Sequence, residues 1–285
     1  MKLSIHASEE LVSVISEVIS DLGHEVVAED AADVRVKIVL DPQERGMKLR
    51  TEDGYRVITC ATRTAMLRGI GHVLQGTEST SELPAFASVS AMPDCSRNAV
   101  MKLSAVKQLI RTIALMGLNG LMLYTEDTYE VPEEPRFGHL RGRYTQKELK
   151  ELDAYAARFG VELIPCIQML AHFDAIMKWP EYSAIKDWDN ILDLSKERSY
   201  ELLEHCIKSV AESFTTRKIN IGMDEAYLLG RGKYLEKMGY RTGTEIMRDH
   251  LARIMVILRK YGFHPMMWSD MFFRQCNSTH TYRDR

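Results

Sequence analysis

Short apolar runs and amphipathic ones alternate along the opening segment. Between Met1 and about Gly76, the β-like runs Leu3–His6, Val34–Leu40 and Tyr55–Cys60 are interleaved with the helical runs Glu9–Leu22 and Thr62–Leu74, the pattern of a small α+β domain. The polar stretch Gly76–Leu83, GTESTSEL, reads as a linker, which places the first domain at residues 1–80. Beyond it, at 81–285, the pattern becomes strand then helix, repeated. The predicted strands Phe86–Met92, Asn119–Tyr124, Val161–Ile167, Lys218–Met223 and His264–Trp268 lack apolar–polar alternation, as strands buried on both faces do.

The intervening helices carry end signals. Thr145 and Glu148 predict a capping box; Leu149, Leu152, Ala156 and Phe159 share one face, and Gly160 ends the helix. Tyr200, Leu203, Ile207, Val210 and Phe214 make a second stripe, and Ile246, Leu251, Ile254, Met255 and Leu258 a third that stops at Gly262. These stripes are core faces. Repeated β/α units fit either a doubly wound sheet or a barrel. No glycine-rich phosphate loop follows any strand, which weighs against a dinucleotide or P-loop site and favours an α/β protein of the (β/α) TIM-barrel type.

Composition narrows the function classes. A net charge of −3 with dispersed Lys and Arg offers no nucleic-acid footprint and no polybasic membrane patch, and no apolar run approaches the ~20 residues that span a bilayer. The N-terminus sets Glu9, Glu10 and Glu17 among its apolar residues and reads as strand and helix, not as a signal peptide. Cys60, Cys95, Cys166, Cys206 and Cys276 are odd in number, widely spaced and free of any CxxC, which fits a reducing, cytoplasmic setting and neither a disulfide framework nor a metal site. No cofactor is implied.

Polar residues gather just past the predicted strands, where a barrel keeps its catalytic face. Arg97 and Asn98 follow the first, Glu126 and Asp127 the second, Gln168 and His172 the third, Asp224 and Glu225 the fourth, and Ser269 and Asp270 the fifth, after Trp268. Each alone also reads as a helix cap or as packing. Together, carboxylates at two strand ends, an imidazole and an aromatic wall are what acid/base cleavage of a sugar requires. The adjacent carboxylates Asp224 and Glu225 need different jobs, one ionised and one able to hold a proton.

The strings DCSRNAV, LMLYTEDTYE, RGRYTQKEL, ELIPCIQMLAH and NIGMDEA resemble glycoside hydrolase family 20, the β-N-acetylhexosaminidases, over nearly the whole chain from residue 50 onward. The family's H-x-G-G-D-E signature is similar to Asn220 through Glu225, with Gly222 and both carboxylates kept and the His and second Gly replaced by Asn220 and Met223. The third-strand Pro-Gly-His becomes Leu170, Ala171 and His172. The resemblance implies a terminal N-acetylhexosamine substrate on an oligosaccharide or glycoconjugate, cleaved with retention by its own acetamido group. It further implies Glu225 as acid/base, Asp224 orienting the acetamido group, and His172, Glu126, Asp127, Arg97 and Trp268 around the sugar. Arg97 could touch sugar or pair with a site carboxylate. The N-terminal α+β domain, also common in the family, would be structural.

Five strands can be placed against the eight that close a barrel. The chain therefore reads as C-terminally truncated before the polar tail CNSTHTYRDR, with the later strands' aromatic wall and acetamido-binding tyrosine missing. Open edges on the first and fifth strands would invite self-association. A truncated member without activity, a barrel glycosidase with a carboxylate nucleophile and a non-catalytic sugar-binding fragment stand as alternatives. Pro93, near the end of the first barrel strand, is unusual for a central strand.

Overall fold

The computed structural model describes residues 1–273; Cys276 and the polar tail lie outside the described residues. The first strands and helices are β1 (Lys2–His6), α1 (Glu9–Ser20), β2 (Glu25–Val26), β3 (Val34–Leu40), β4 (Met47–Glu52), β5 (Tyr55–Cys60), α2 (Arg63–Leu74) and β6 (Thr80–Glu82). They build a six-stranded mixed sheet in the order β2-β1-β3-β5-β4-β6. The three longer expected runs are there as β1, β3 and β5. β4 was not foreseen, although its turn chemistry is in the sequence. Glu52 faces Tyr55 across a two-residue loop in which Asp53 and Gly54 both have positive φ, 49° and 78°, the geometry a tight hairpin needs. The supposed linker also holds β6, whose Leu49↔Thr80 and Met47↔Glu82 pairings add a polar edge strand too short to show periodicity.

Packing explains an odd choice inside α2. A Cβ on Gly69 would lie 2.7 Å from Ile58 Cγ2, so glycine's low helix propensity is accepted for a close approach of α2 to β5. Around that contact Leu3, Val36, Ile58, Met66, Leu67 and Ile70 are fully buried, as are Ile15 and Ile19 of α1.

The rest of the chain continues as β7 (Ser90–Ala91), α3 (Leu103–Leu115), β8 (Gly120–Tyr124), α4 (Gln146–Arg158), β9 (Glu162–Cys166), β10 (Lys186–Trp188), β11 (Ile191–Leu192), α5 (Glu197–Ser213), β12 (Lys218–Asn220), α6 (Lys233–Met238), α7 (Gly243–Lys260), β13 (His264–Met266) and α8 (Asp270–Phe273). A five-stranded sheet runs β13-β12-β9-β8-β7, so each strand lies beside the next of the sheet in chain order, and β7 pairs with β8, and β12 with both its neighbours, in parallel. Helices α3, α4, α5 and α7 make the crossovers, as parallel pairing demands. All five strands expected here are present but shorter than their apolar runs. Residues such as Phe86 and Val89 before β7 are exposed, whereas Ile221 and Met223 after β12 stay buried without ladder geometry.

The predicted capping box forms: the Glu148 amide meets Thr145 Oγ1 at 3.2 Å and the Thr145 amide meets Glu148 Oε2 at 2.8 Å. Thr242 and Glu245 cap α7 in the same way. Pro93 lies beyond β7, where its carbonyl accepts the Tyr124 amide, so its missing N–H disrupts no ladder.

Two compact units divide the chain. One comprises residues 1–91, 101–121 and 152–163; the other 92–100, 122–151 and the residues from 164 on. No helix of the described residues is long and apolar enough to cross a membrane. No disulfide joins the four described cysteines, all of them buried.

Candidate active site

The polar residues that follow β7, β8, β9, β12 and β13 all belong to the second unit, and most converge. Left-handed residues follow β7, β8, β9 and β12. Asn98, Glu126, His172, Met223 and Glu225 adopt positive φ between 45° and 77°, a region non-glycine residues enter at an energetic cost. Gly222 shares that conformation at 68°. These conformations let consecutive side chains such as Asp224 and Glu225 take up separate positions.

His172 is the hub. Its Nδ1 lies 3.6 Å from Glu126 Oε1, and its Nε2 lies 3.5 Å from Asp224 Oδ2 and 3.8 Å from Glu225 Oε2. The ring is buried, and Nε2 has no well-formed hydrogen bond among the described residues, so these are ion-pair contacts rather than short bonds. The Asp224 carboxylate raises the His172 pKa against the opposing effect of burial, and Glu126 and Glu225 add to the rise. Burial pushes Asp224 up, yet the contact with His172 and the hydrogen bond from Gln168 outweigh it and hold the carboxyl below its ordinary value. Gln168 Nε2 donates to Asp224 Oδ1 at 2.9 Å. Asp224 is thus an ionised, enclosed carboxylate.

Glu225 differs from its neighbour in exposure: its side chain is 54% accessible against 19% for Asp224. Its amide donates to Asp270 Oδ2 at 3.1 Å, and Tyr227 Oη sits 3.4 Å from its Oε1. An accessible carboxyl on an anchored backbone is free to reach a ligand. Asp270 keeps a second, buried oxygen without a partner among the described residues.

Glu126 and Asp127, adjacent in sequence, part company. Glu126 accepts from Tyr124 Oη at 3.0 Å and lies 3.3 Å from Arg97 Nη2; burial raises its pKa against the pull of Tyr124, Arg97 and His172. Asp127 is buried against Arg141, 3.3 Å away, and burial raises its pKa too. Arg141 also donates to the Ser96 carbonyl and to Asn98 Oδ1, so Asp127 braces the loop that presents Arg97. Arg97 pairs with Asp94 at 2.6 Å as well as with Glu126, and its side chain remains 60% exposed. Trp268 is partly exposed beside the turn, its amide donating to the Gly222 carbonyl at 3.0 Å.

Gln168, Tyr124 and Asp270 join the cluster without having been picked out as site residues. Gln168 and Asp270 stood at strand ends, the signal that could have found them; Tyr124, inside an apolar run, gave none. Among the described residues, no group of three or more His, Cys, Asp or Glu is arranged to hold a metal ion.

The family model described as "Glycosyl hydrolase family 20, catalytic domain" matches residues 89–282. The chain belongs to glycosyl hydrolase family 20. Relatives in the family include human Hexosaminidase D, 24% identical over 185 residues that make up 61% of this chain and 38% of that protein. Among solved family 20 structures, the exo β-N-acetylglucosaminidase of Vibrio harveyi in complex with N-acetylglucosamine is similar at a TM-score of 0.76 and 19% identity, covering 94% of this chain and 51% of that one. A mutant Streptomyces plicatus β-hexosaminidase in complex with its product GlcNAc is similar at 0.72 and 21%, covering 94% and 61%. These structural likenesses speak for the fold. The chain spans less than two thirds of each of these family 20 proteins.

Proposed function

We propose that this family 20 chain carries the catalytic carboxylates of a β-N-acetylhexosaminidase, releasing a terminal β-linked GlcNAc or GalNAc with retention by substrate assistance. Its five-stranded sheet is then part of a (β/α)8 barrel at residues 81–285, and residues 1–80 form a structural α+β domain. The observation that carries the reading is the division between neighbours: Asp224 enclosed and held ionised by His172 and Gln168, Glu225 accessible beside it.

In this mechanism the acetamido carbonyl oxygen attacks the anomeric carbon while the bond to the leaving oxygen breaks, and Glu225 gives that oxygen its proton. Asp224 orients the acetamido N–H and stabilises the positive charge that spreads over the cyclised group. Water then opens the intermediate, returning its proton to Glu225. Arg97 and Glu126 present a donor and an acceptor to sugar hydroxyls, and Trp268 offers an aromatic face. Asp127 serves through Arg141 and the Arg97 loop.

The test compares an aryl N-acetyl-β-glucosaminide with its 2-hydroxy analogue on the purified chain. Turnover of the N-acetyl substrate alone is expected. Comparable turnover of both would point to a carboxylate nucleophile and overturn substrate assistance.

A further inference from the structure

Gln168 lies just past β9, 1% exposed, with every polar atom engaged. Its Oε1 faces the Met223 amide at 3.3 Å, and its Nε2 stands 2.9 Å from both Asp224 Oδ1 and Tyr124 Oη. A backbone N–H can only donate, so the atom facing Met223 must be the oxygen and the NH2 group must point at Asp224 and Tyr124. Asp224 Oδ1 therefore accepts. The Tyr124 oxygen, already accepting, turns its own O–H toward Glu126 Oε1, which is an acceptor in turn.

We propose that Gln168 is a positioning residue: its NH2 group fixes Asp224 Oδ1 as an acceptor and, through the Tyr124 hydroxyl, fixes Glu126 Oε1 as one, so that the two carboxyls that flank His172 are held in place about the ring. This rests on the hydrolase reading above only for its catalytic consequence; the hydrogen-bond directions stand on geometry. The raised His172 and lowered Asp224 pKa values agree with it. The titratable groups that act on Asp224 are His172, Tyr124 and the buried, neutral Cys166 thiol, with Glu126 and Glu225 on the His172 ring beyond, so Gln168 is the uncharged donor among titratable side chains. A carboxylate in its place would set a like charge against Asp224, and an aliphatic side chain would orphan the Met223 amide. Gly222 belongs to the same device: a Cβ there would stand 1.9 Å from Gln168 Oε1.

The experiment is an NMR pH titration of the wild-type chain with labelled glutamine side chains and aspartate carboxyls. Both Gln168 amide protons should exchange slowly, and their shifts should move together with the Asp224 carboxyl at a midpoint below the ordinary carboxylate range. Fast exchange, or a Gln168 amide indifferent to Asp224, overturns the proposal. Kinetics supply the second arm: Q168E should move the acid limb of the kcat profile to higher pH, and Q168L should lower kcat about tenfold or more with KM little changed. Folded variants with an unmoved profile and kcat would reduce Gln168 to packing and overturn the proposal. If the wild-type chain cleaves no N-acetylhexosaminide while the Gln168 amide titrates with Asp224, the hydrolase reading falls and the positioning role stands.

Discussion

In the six-stranded sheet of the first unit, the non-glycine residue with positive φ is Asp53, in a hairpin whose geometry asks for it. At the ends of β7, β8, β9 and β12 the same conformation falls on Asn98, Glu126, His172, Met223 and Glu225, where no hairpin requires it. Buried side-chain polar atoms show the same contrast: those found without partners among the described residues, including His172 Nε2 and Asp270 Oδ1, all lie in the second unit. One region follows the local rules of packing and turn chemistry. The other departs from them where carboxylates and an imidazole must be held close together. Positive φ thus concentrates at the site, with Leu140 and Asp189 outside it, whereas unpartnered buried polar atoms mark the second unit more broadly, those of Asp187, Asp193, Ser195 and Arg198 among them.

Substitutions on the two sides should separate activity from stability. Glu225→Gln should lower kcat by roughly 10²–10⁴ on substrates with poor leaving groups, and less where the leaving group needs no proton. Stability should move by less than about 0.5 kcal/mol, because the side chain is exposed; kinetics and urea melts on the same preparation check both. Gly69→Ala is the mirror image. The added Cβ meets Ile58 and should destabilise the fold by about 1–3 kcal/mol while leaving kcat unchanged.

His172→Gln should alter stability in a pH-dependent way. The folded pKa of His172 is raised, so the stability it adds is fully present below its unfolded value of about 6.5 and is lost as pH rises through the folded value. Asp224 behaves oppositely: its folded pKa is lowered, so its contribution is present above the ordinary carboxylate range and is lost as pH falls through the folded value. Denaturation of wild type and variant should therefore differ most, by about 1–3 kcal/mol, near pH 6 and converge toward pH 9. A gap independent of pH would remove His172 from the charge network. The smallest expected effect is Gly54→Ala, about 1 kcal/mol from forcing a Cβ into the hairpin's positive φ, with kinetics untouched.

Much of this contrast was legible in the residues. The apolar runs located all five strands of the second sheet and three of the first, and strand-end polarity placed Asp224, Glu225, His172, Glu126 and Arg97 in one cluster. Asp53–Gly54 signalled β4 but was not read as a hairpin, and β6 hid in a polar Ser/Thr stretch because three residues show no period. The divergence of Glu126 from Asp127 could not be seen either, since it depends on Arg141, distant in sequence and brought back by the fold. Gln168 stood in the right place, yet its role depends on a space kept open by Gly222.

The most direct test of the central claim is the rate of sugar release from an aryl N-acetyl-β-glucosaminide by the wild-type chain beside Asp224→Asn, at a pH where both are folded. The account predicts wild-type turnover and a fall in kcat of about 10²–10³ in the variant with KM little changed. Equal rates in the two proteins, or no wild-type turnover above the uncatalysed reaction, would contradict it.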